Sequence, residues 1–397
     1  MANGVGNLTF TQVATILNSI HAQVTGTTSI TNVTTTNFVA VAQTTLKSGY
    51  EPVLSAISQV LSRTIFSIRP YSRKLAGLKA DSVKWGNIVR KLVVLDDLWE
   101  TEDSTPLTAG QSVDQYVVRK PQVVETHFYG ANIVQDHITI FKDQLDTAFS
   151  GPEQLGQFFS MIMQNMTDRI EQKHEEIARL TVANFIAAKT LADTGNVIYL
   201  VDEYNTATGS TETATSIKTP SVYPNFAKWL MGFLKTLSDR LTERSCKYHM
   251  NLTSKNIPRH TPLNRQKLYI YSPEMNQVDS QVLSSTFHDE YLKKIDYEPV
   301  SYWQSIDTPA EIIVTPNYID ASGAQVDANA SVTVDNIFGV LFDEDALGYT
   351  TINTDVLTTP MNAAGKYTNM FFHFTDRPWM DLTENGVVLL LDENPNP

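Results

Sequence analysis

The sequence predicts an α+β chain with more than one structural unit. Three observations lead there. Residues 152–192 carry apolar side chains at three- and four-residue steps, the period of a long amphipathic helix. The segment from residue 336 is written as strands: a strand, turn and strand over 336–352, the aromatic run Met370–Phe374 and the continuous apolar run Val387–Leu391. Between these lies an irregular mixture of helix and strand signals, unlike the regular strand–helix repetition of a parallel α/β domain.

Composition bounds the function. The chain has 397 residues, 42% hydrophobic, enough for a sizeable core and too long for one compact unit to be the default. Its net charge is −13, so bulk electrostatics do not draw it to nucleic acid, although it can enclose nucleic acid without gripping it. A single cysteine, Cys246, excludes an intramolecular disulfide and fits synthesis in a reducing cytoplasm. The opening MANGVGNLTF lacks a basic region followed by an apolar stretch, so no signal peptide is expected. No apolar run reaches the ~18 residues of a membrane span, and no membrane partner is expected.

In chain order, residues 8–24 predict an amphipathic helix through Val13, Ile16, Leu17, Ile20 and Val24, ended by Gly26. The Thr-rich stretch 25–45 disfavours helix and predicts an extended arm that needs a surface to lie on. A short helix follows at 51–66, opening near Pro52 with Val53, Ile57, Val60 and Leu61 as its buried stripe. Strand signals at Val83–Val94 and Ser112–Thr126 flank a turn-rich stretch and predict a long hairpin within 67–128. Its charges are segregated: a basic block ending in Arg90 and Lys91 precedes Asp96, Asp97, Glu100, Glu102 and Asp103. An isolated hairpin is marginal in water, so this one must dock, and the charge blocks would set its register.

The helix over 152–192 would be on the order of 60 Å long, with Asp168, Arg169, Glu171, Lys173, Glu175, Glu176 and Arg179 as a solvated face. Beyond it we expect a strand at Val197–Val201, a loop over Asn205–Ser216 and a helix over 224–243. A strand at Lys267–Tyr271, short helices at Pro273–Asp279 and His288–Lys294, and a strand at Ile312–Thr315 come next. Residues 336–352 read as strand, turn and strand.

The search for chemistry is mostly negative. Neither a Gly-x-Gly-x-x-Gly nor a Gly-x4-Gly-Lys-[Ser/Thr] pattern occurs, and no Gly-x-Ser-x-Gly elbow. His174-Glu175-Glu176-Ile177-Ala178 starts like a zinc-protease helix but has Ala178 where the second histidine belongs. Cys246, His249 and His260 lack a fourth soft ligand. Asp343, Glu344 and Asp345 cluster in a turn, and Asp376-Arg377 with Asp381 suit a structural ion pair. Aromatic residues Phe66, Tyr71 and Trp85 interleave the basic stretch 63–91, but the acidic block follows directly. We expect no catalytic, cofactor or metal site.

The order of arm, long hairpin, long helix, mixed α/β insert and closing strands resembles the Hong Kong 97-type fold of tailed-bacteriophage major capsid proteins. Local motifs agree. Asn336-Ile-Phe-Gly-Val-Leu-Phe-Asp-Glu-Asp-Ala-Leu-Gly348 is similar to their strand–turn with a Phe-Asp-x-x-Ala-Leu-Gly pattern, and Trp379 with the Asp381-Leu-Thr-Glu-Asn385 turn resembles their last turn. The resemblance implies an N-terminal arm at 1–50, a short helix at 51–66 and an extended-loop hairpin at 67–128. It implies a peripheral domain with the spine helix at 129–195, an axial domain at 196–335 and closing strands of the peripheral domain at 336–397. It also implies a structural, non-enzymatic protein that forms pentamers and hexamers of an icosahedral head and encloses double-stranded DNA without sequence-specific binding.

Scaffold, portal or decoration proteins would be its partners, the virion head its location, and the host bacterial cytoplasm its place of assembly. The hairpin would lie across a neighbour, with Arg90 and Lys91 against Asp96, Asp97 and Glu100 as inter-subunit contacts. Some members carry a long cleaved N-terminal scaffolding segment. Here only residues 1–50 precede the first domain helix, which implies a separate scaffold or self-guided assembly. Two alternatives remain open from sequence: an encapsulin-like compartment shell, and a metal-dependent hydrolase built on Asp343, Asp345, His249 and His260.

Overall fold

The computed structural model describes residues 9–26, 33–63, 74–80, 89–95, 116, 122–128, 130–253, 256–284 and 297–395. In chain order the elements are α1 (Phe10–Thr25), α2 (Phe38–Lys47), α3 (Tyr50–Arg63), β1 (Val89–Leu95), β2 (Gln122–Phe128), β3 (Asn132–Phe141), α4 (Lys142–Ala148) and α5 (Pro152–Ala192). Then come β4 (Val197–Tyr199), α6 (Leu200–Thr208), α7 (Tyr223–Thr242), β5 (Gln266–Tyr271), α8 (Ser272–Ser284), β6 (Glu298–Val300) and β7 (Ile312–Val314). The last are β8 (Asn317–Ile319), β9 (Gln325–Asp327), β10 (Val332–Val334), β11 (Ile337–Asp343), β12 (Leu347–Thr358), β13 (Tyr367–Met380) and β14 (Gly386–Leu390). Two units result. The first takes Met1–Trp85, Ala131–Ile177 and Thr350–Arg377; the second takes Gly86–Gly130, Ala178–Tyr349 and Pro378–Pro397.

In the first unit, α1 opens where the Thr9 N–H donates to Gln12 Oε1 at 2.8 Å. It closes at Gly26, whose φ of 66° suits a residue without Cβ. The extended arm expected over 25–45 is corrected over 38–45, which α2 occupies, and residues 27–32 lie outside the described residues. Phe38, Val41, Ala42 and Thr45 repeat at helical spacing and are buried, so tertiary burial outweighs the weak helix propensity of Val and Thr. The Thr45 hydroxyl meets buried His21 Nδ1 at 2.9 Å and ties α2 to α1. Val53, Leu54 and Ile57 of α3, Phe159 of α5, and Met370 and Phe372 of β13 complete this core. The buried stripes of α1 and α2 are thus covered within their own chain.

The sheet of this unit has the order β12-β13-β3. β13 and β3 run antiparallel, from Tyr367 opposite Phe141 to Asp376 opposite Asn132. Along β13 the even positions 368–376 are buried and the odd positions 367–375 half-buried. One face therefore packs on the helical core while the other stays open, as the period of two requires.

The continuous helix expected over 152–192 is α5, but its charged face is not uniformly solvated. His174, Glu175 and Arg179 are buried. His174 Nε2 lies 3.2 Å from Asp376 Oδ2, and Asp376 Oδ1 accepts the Thr351 hydroxyl at 2.7 Å. Asp376 thereby joins α5, β12 and β13. Within the second unit, Arg179 covers the Tyr302 ring at 3.8 Å and donates to the Tyr302 carbonyl. Partners of this kind are what let charged side chains leave water.

The second unit is built on a five-stranded sheet of order β4-β14-β11-β5-β6. β11 runs antiparallel to both neighbours, pairing Val340 with Val388 and Leu341 with Leu268. β4 is parallel to β14 and β6 to β5. Every residue of β11 and β14 is buried, the state their unbroken apolar runs demand. Phe226, Leu230 and Leu234 of α7 and Met275 and Val278 of α8 pack with Ile270, Leu341, Val387 and Leu389.

Several expectations change here. Residues 336–397 do not form one set of closing strands. β11 and β14 belong to the second unit's sheet, while Thr350–Thr358 of β12 and Tyr367–Arg377 of β13 belong to the first unit. The pattern explains the division, because strands apolar on both faces need cover on both, and the alternating β13 needs it on one. The boundary expected at 195 also moves, since Ala178 onward in α5 lies in the second unit. The strand expected over Val197–Val201 stops at Tyr199, where Leu200, Val201 and Tyr204 begin the buried stripe of α6. The helix expected at His288–Lys294 lies outside the described residues.

Gly339 sits at the centre of this sheet, beside a register shift in the pairing with β14. A Cβ there would stand 2.8 Å from the Tyr269 carbonyl oxygen, a backbone atom that cannot swing away. Gly339→Ala should lower unfolding stability by about 1–3 kcal/mol, read as an earlier denaturant midpoint. An unchanged midpoint would show that β5 can retreat at no cost.

Candidate functional site: a buried charge node beneath the hairpin

The described part of the hairpin is β1 against β2, antiparallel, with Arg90 opposite His127, Lys91 opposite Thr126 and Leu92 opposite Glu125. Alternation places Lys91, Val93, Val124 and Thr126 on one face and Arg90, Leu92, Glu125 and His127 on the other. The outer face carries its own ion cluster. Arg90 Nε lies 3.1 Å and His127 Nε2 3.2 Å from Glu125 Oε1, next to exposed Leu92.

The inner face delivers Lys91 to the turn between β13 and β14. Its ammonium donates to Asp381 Oδ2 at 2.7 Å and lies 2.6 Å from Glu384 Oε1. The Asp381 side chain is 5% exposed. Its other oxygen, Oδ1, accepts the Thr383 N–H at 2.9 Å and the Thr383 hydroxyl at 2.7 Å. A carboxylate that bonds the backbone two residues on folds its own turn. One residue thus shapes the turn and anchors the hairpin. Arg259 adds a second cation, with Nη2 at 3.2 Å from Glu384 Oε1 and Nε donating to the Thr383 carbonyl at 3.1 Å.

The polar network continues inward. Asn385 donates to the Thr261 hydroxyl at 3.1 Å, which donates to Asp343 Oδ2 at 2.8 Å. His249 Nδ1 faces Asn385 Oδ1 at 3.1 Å; an amide oxygen only accepts, so Nδ1 carries the proton. Backbone bonds from Met250 N to the Leu382 carbonyl, Gly386 N to the Tyr248 carbonyl and Asp381 N to the Ala346 carbonyl pin the turn on its other sides. The Asp381–Gly386 turn therefore joins the hairpin root, the 248–261 loop and the β11–β12 turn.

Its electrostatics follow from burial. Burial alone would raise Asp381, but the Lys91 ammonium and the Thr383 bonds overcome it and hold the carboxyl below its ordinary value. Glu384 goes the other way, with burial outweighing Lys91 and Arg259 and pushing it up. Burial likewise lowers His249, with Arg259 and Lys189 adding to the effect, so its neutral form is favoured.

The sequence-level candidates fare unevenly. Lys91 is held within its own chain. Arg90 stands on the outer face, more than half exposed. Asp96, Asp97 and Glu100 lie outside the described residues. The hydrolase set is differently occupied. Asp343, Glu344 and Asp345 surround Arg265, with Glu344 Oε1 3.0 Å from Nε and Asp343 Oδ1 3.5 Å from Nη2. His249 is buried against Asn385, His260 is exposed and Cys246 is half-buried. Among the described residues no group of three or more His, Cys, Asp or Glu is placed to hold a metal ion. Asp376 bonds Thr351 and faces His174, and Asp381 bonds Lys91. What sequence reasoning missed was the role of Glu384, Arg259, Thr261 and Asn385. The Asp-x-Thr-Glu-Asn turn was visible, but its lysine partner lies 290 residues away.

A family model described as Phi29-like phage major capsid protein matches residues 13–390. The capsid structure of Staphylococcus phage Andhra matches with a TM-score of 0.51 at 12% identity, covering 84% of this chain and 87% of that one. A chain from native bacteriophage P68, in a structure of its head fiber and inner core protein gp22, matches with a TM-score of 0.52 at 11% identity, covering 83% and 87%. No curated protein matches the chain. At such identities the likeness is one of fold, and that fold is the α+β, Hong Kong 97-like fold expected from the sequence.

Removing one partner of a buried pair leaves the other charge stranded. Asp381→Asn should therefore destabilise the unassembled subunit by about 3–5 kcal/mol, measured by chemical denaturation, and Glu384→Gln by less. The two acids also differ in sign with pH. The stabilisation from Asp381 is present above its unfolded value of 3.8 and is lost as pH falls through its lower folded value. For Glu384, raised when folded, wild-type stability relative to Glu384→Gln should fall as pH rises from 4.5 through the folded value. A flat difference across that range would contradict the assignment.

Proposed function

Because this chain belongs to the Phi29-like phage major capsid protein family, we propose that its structural capsid role is that of the repeating subunit of an icosahedral phage head, grouped as pentamers and hexamers. The observation that carries this reading is the hairpin root fixed by Lys91 on Asp381 and Glu384. An isolated hairpin is marginal in water. One whose root is locked into its own subunit can reach outward and hold a neighbour without being torn from its base.

Arg90 on the outer face, with Asp96, Asp97 and Glu100 beyond β1 in the chain, supplies the charges that steer docking onto that neighbour. Lys91 acts through the root, since its ammonium is already engaged. In this reading the unit holding Ala131–Ile177 and Thr350–Arg377 corresponds to the peripheral domain, and the unit holding Ala178–Tyr349 to the axial domain. The net charge of −13 suits an inner wall that confines double-stranded DNA without adhering to it. Scaffold, portal and decoration proteins are the partners such a shell needs, and the host cytoplasm is where it assembles.

Purified tag-free protein should form closed shells or capsomer-sized rings in negative-stain electron microscopy, alone or with the phage's scaffold. A chain that stays monomeric under both conditions would overturn the reading. The double reversal Asp96→Lys with Asp97→Lys should reduce shell yield by about tenfold or more while circular dichroism stays native. Shells at wild-type yield would remove those residues from the contact.

A further inference from the structure

We propose that the open face of the β13-β3 pair, at the edge of the β12-β13-β3 sheet, is a contact between copies of this chain; the inference rests on the capsid reading above. On β3 and β13 it consists of the odd positions from Ile133 to Phe141 and from Tyr367 to Thr375, while β12 alongside carries exposed Asp355. None of these odd positions is Asp, Glu, Lys or Arg, in a chain where 18% of residues are. Aromatic rings take their place. His137 stacks on Phe371 at 5.3 Å, Phe371 on His373 at 6.3 Å, and Phe141 meets Tyr367 edge-on at 6.0 Å. Ile133 is 72% exposed.

Cross-strand pairing within the sheet accounts for the stacking. It does not account for bare Ile133 or for the lack of charge, which is the composition of an interface core: aromatic-rich and charge-depleted. A second observation points the same way. Among the described residues β3 is an edge strand of ten residues, with neither Lys nor Pro in Asn132–Phe141. Long edges are ordinarily blunted by such residues unless something covers them.

The occupant follows from charge. Copies of a chain carrying −13 repel one another, and like charges brought together across an interface are strongly unfavourable. The β3–β13 strip brings no Asp, Glu, Lys or Arg, so two copies that meet on it, clear of Asp355, avoid that penalty. DNA is the wrong occupant, because the face offers its phosphates no lysine or arginine.

The test is diethyl pyrocarbonate labelling of His137 and His373, read by mass spectrometry, in dissociated subunits and in shells assembled from this chain alone. Both histidines should react in the free subunit and be protected about tenfold in shells. Equal reactivity overturns the proposal. Protection that appears only when other virion proteins are bound also overturns it, and assigns the face to one of them. Phe371→Asp gives an independent check. A variant that keeps its native circular dichroism should yield about tenfold fewer shells, and a wild-type yield would count against the contact. A wild-type chain that forms no shell at all overturns the capsid reading and this inference with it, whereas shells with reactive histidines overturn this inference alone.

Discussion

The interaction on which the second unit depends is the Lys91 ammonium held between Asp381 and Glu384. Three charged groups taken from water carry a desolvation penalty that their attraction offsets only in good geometry. The geometry is good because Asp381 divides its work, one oxygen on the lysine and the other on Thr383. A buried ion group of this kind does less for stability than for register. If β1 slipped by one residue, Arg90 or Leu92 would replace Lys91 above the carboxylates, and every side chain of the strand would change face. Beneath Leu92, Asp381 would lose its cation and Glu384 would keep only Arg259. The node thus sets where the hairpin leaves the unit and which face it turns outward.

Much of this was legible in the sequence. α5 and α7 announced themselves by apolar period, and β11 and β14 by runs too apolar for a half-exposed strand. The hairpin was legible from two strand signals around a turn-rich stretch. The failures share a cause, since each depended on a partner distant in the chain. α2 is helical because α1 and α3 bury Phe38 and Ala42, against local propensity. His174 leaves water because Asp376 waits on β13. Lys91 looked like a docking charge because nothing near residue 91 reveals the turn at 381–386. Period is local information, and pairing of buried charges is not.

Much of the cationic charge in the described residues is spent internally. Arg169 faces Asp136, Arg265 sits amid three acids, and Arg259 and Lys91 share Glu384. With 43 acidic against 30 basic residues, the surplus carboxylates belong at the surface, because an unpaired buried charge is too unfavourable to persist. Association between such subunits proceeds against a repulsive background that physiological salt screens beyond about 8 Å. Contacts must then be short-ranged, apolar or locally complementary.

The order of strands in the five-stranded sheet has a kinetic consequence. Among the described residues β4 joins the sheet only through β14, so Val197 waits for Val388, and Lys91 waits for Asp381. Closing such long loops is entropically unfavourable until the contacts that reward it exist, so the sheet forms late and slowly. A nascent chain can pack α1 against α2 and α3 early, yet its hairpin has no fixed root until residues 381–390 have left the ribosome. Translation itself thereby leaves the hairpin unanchored until residues 381–390 have been made.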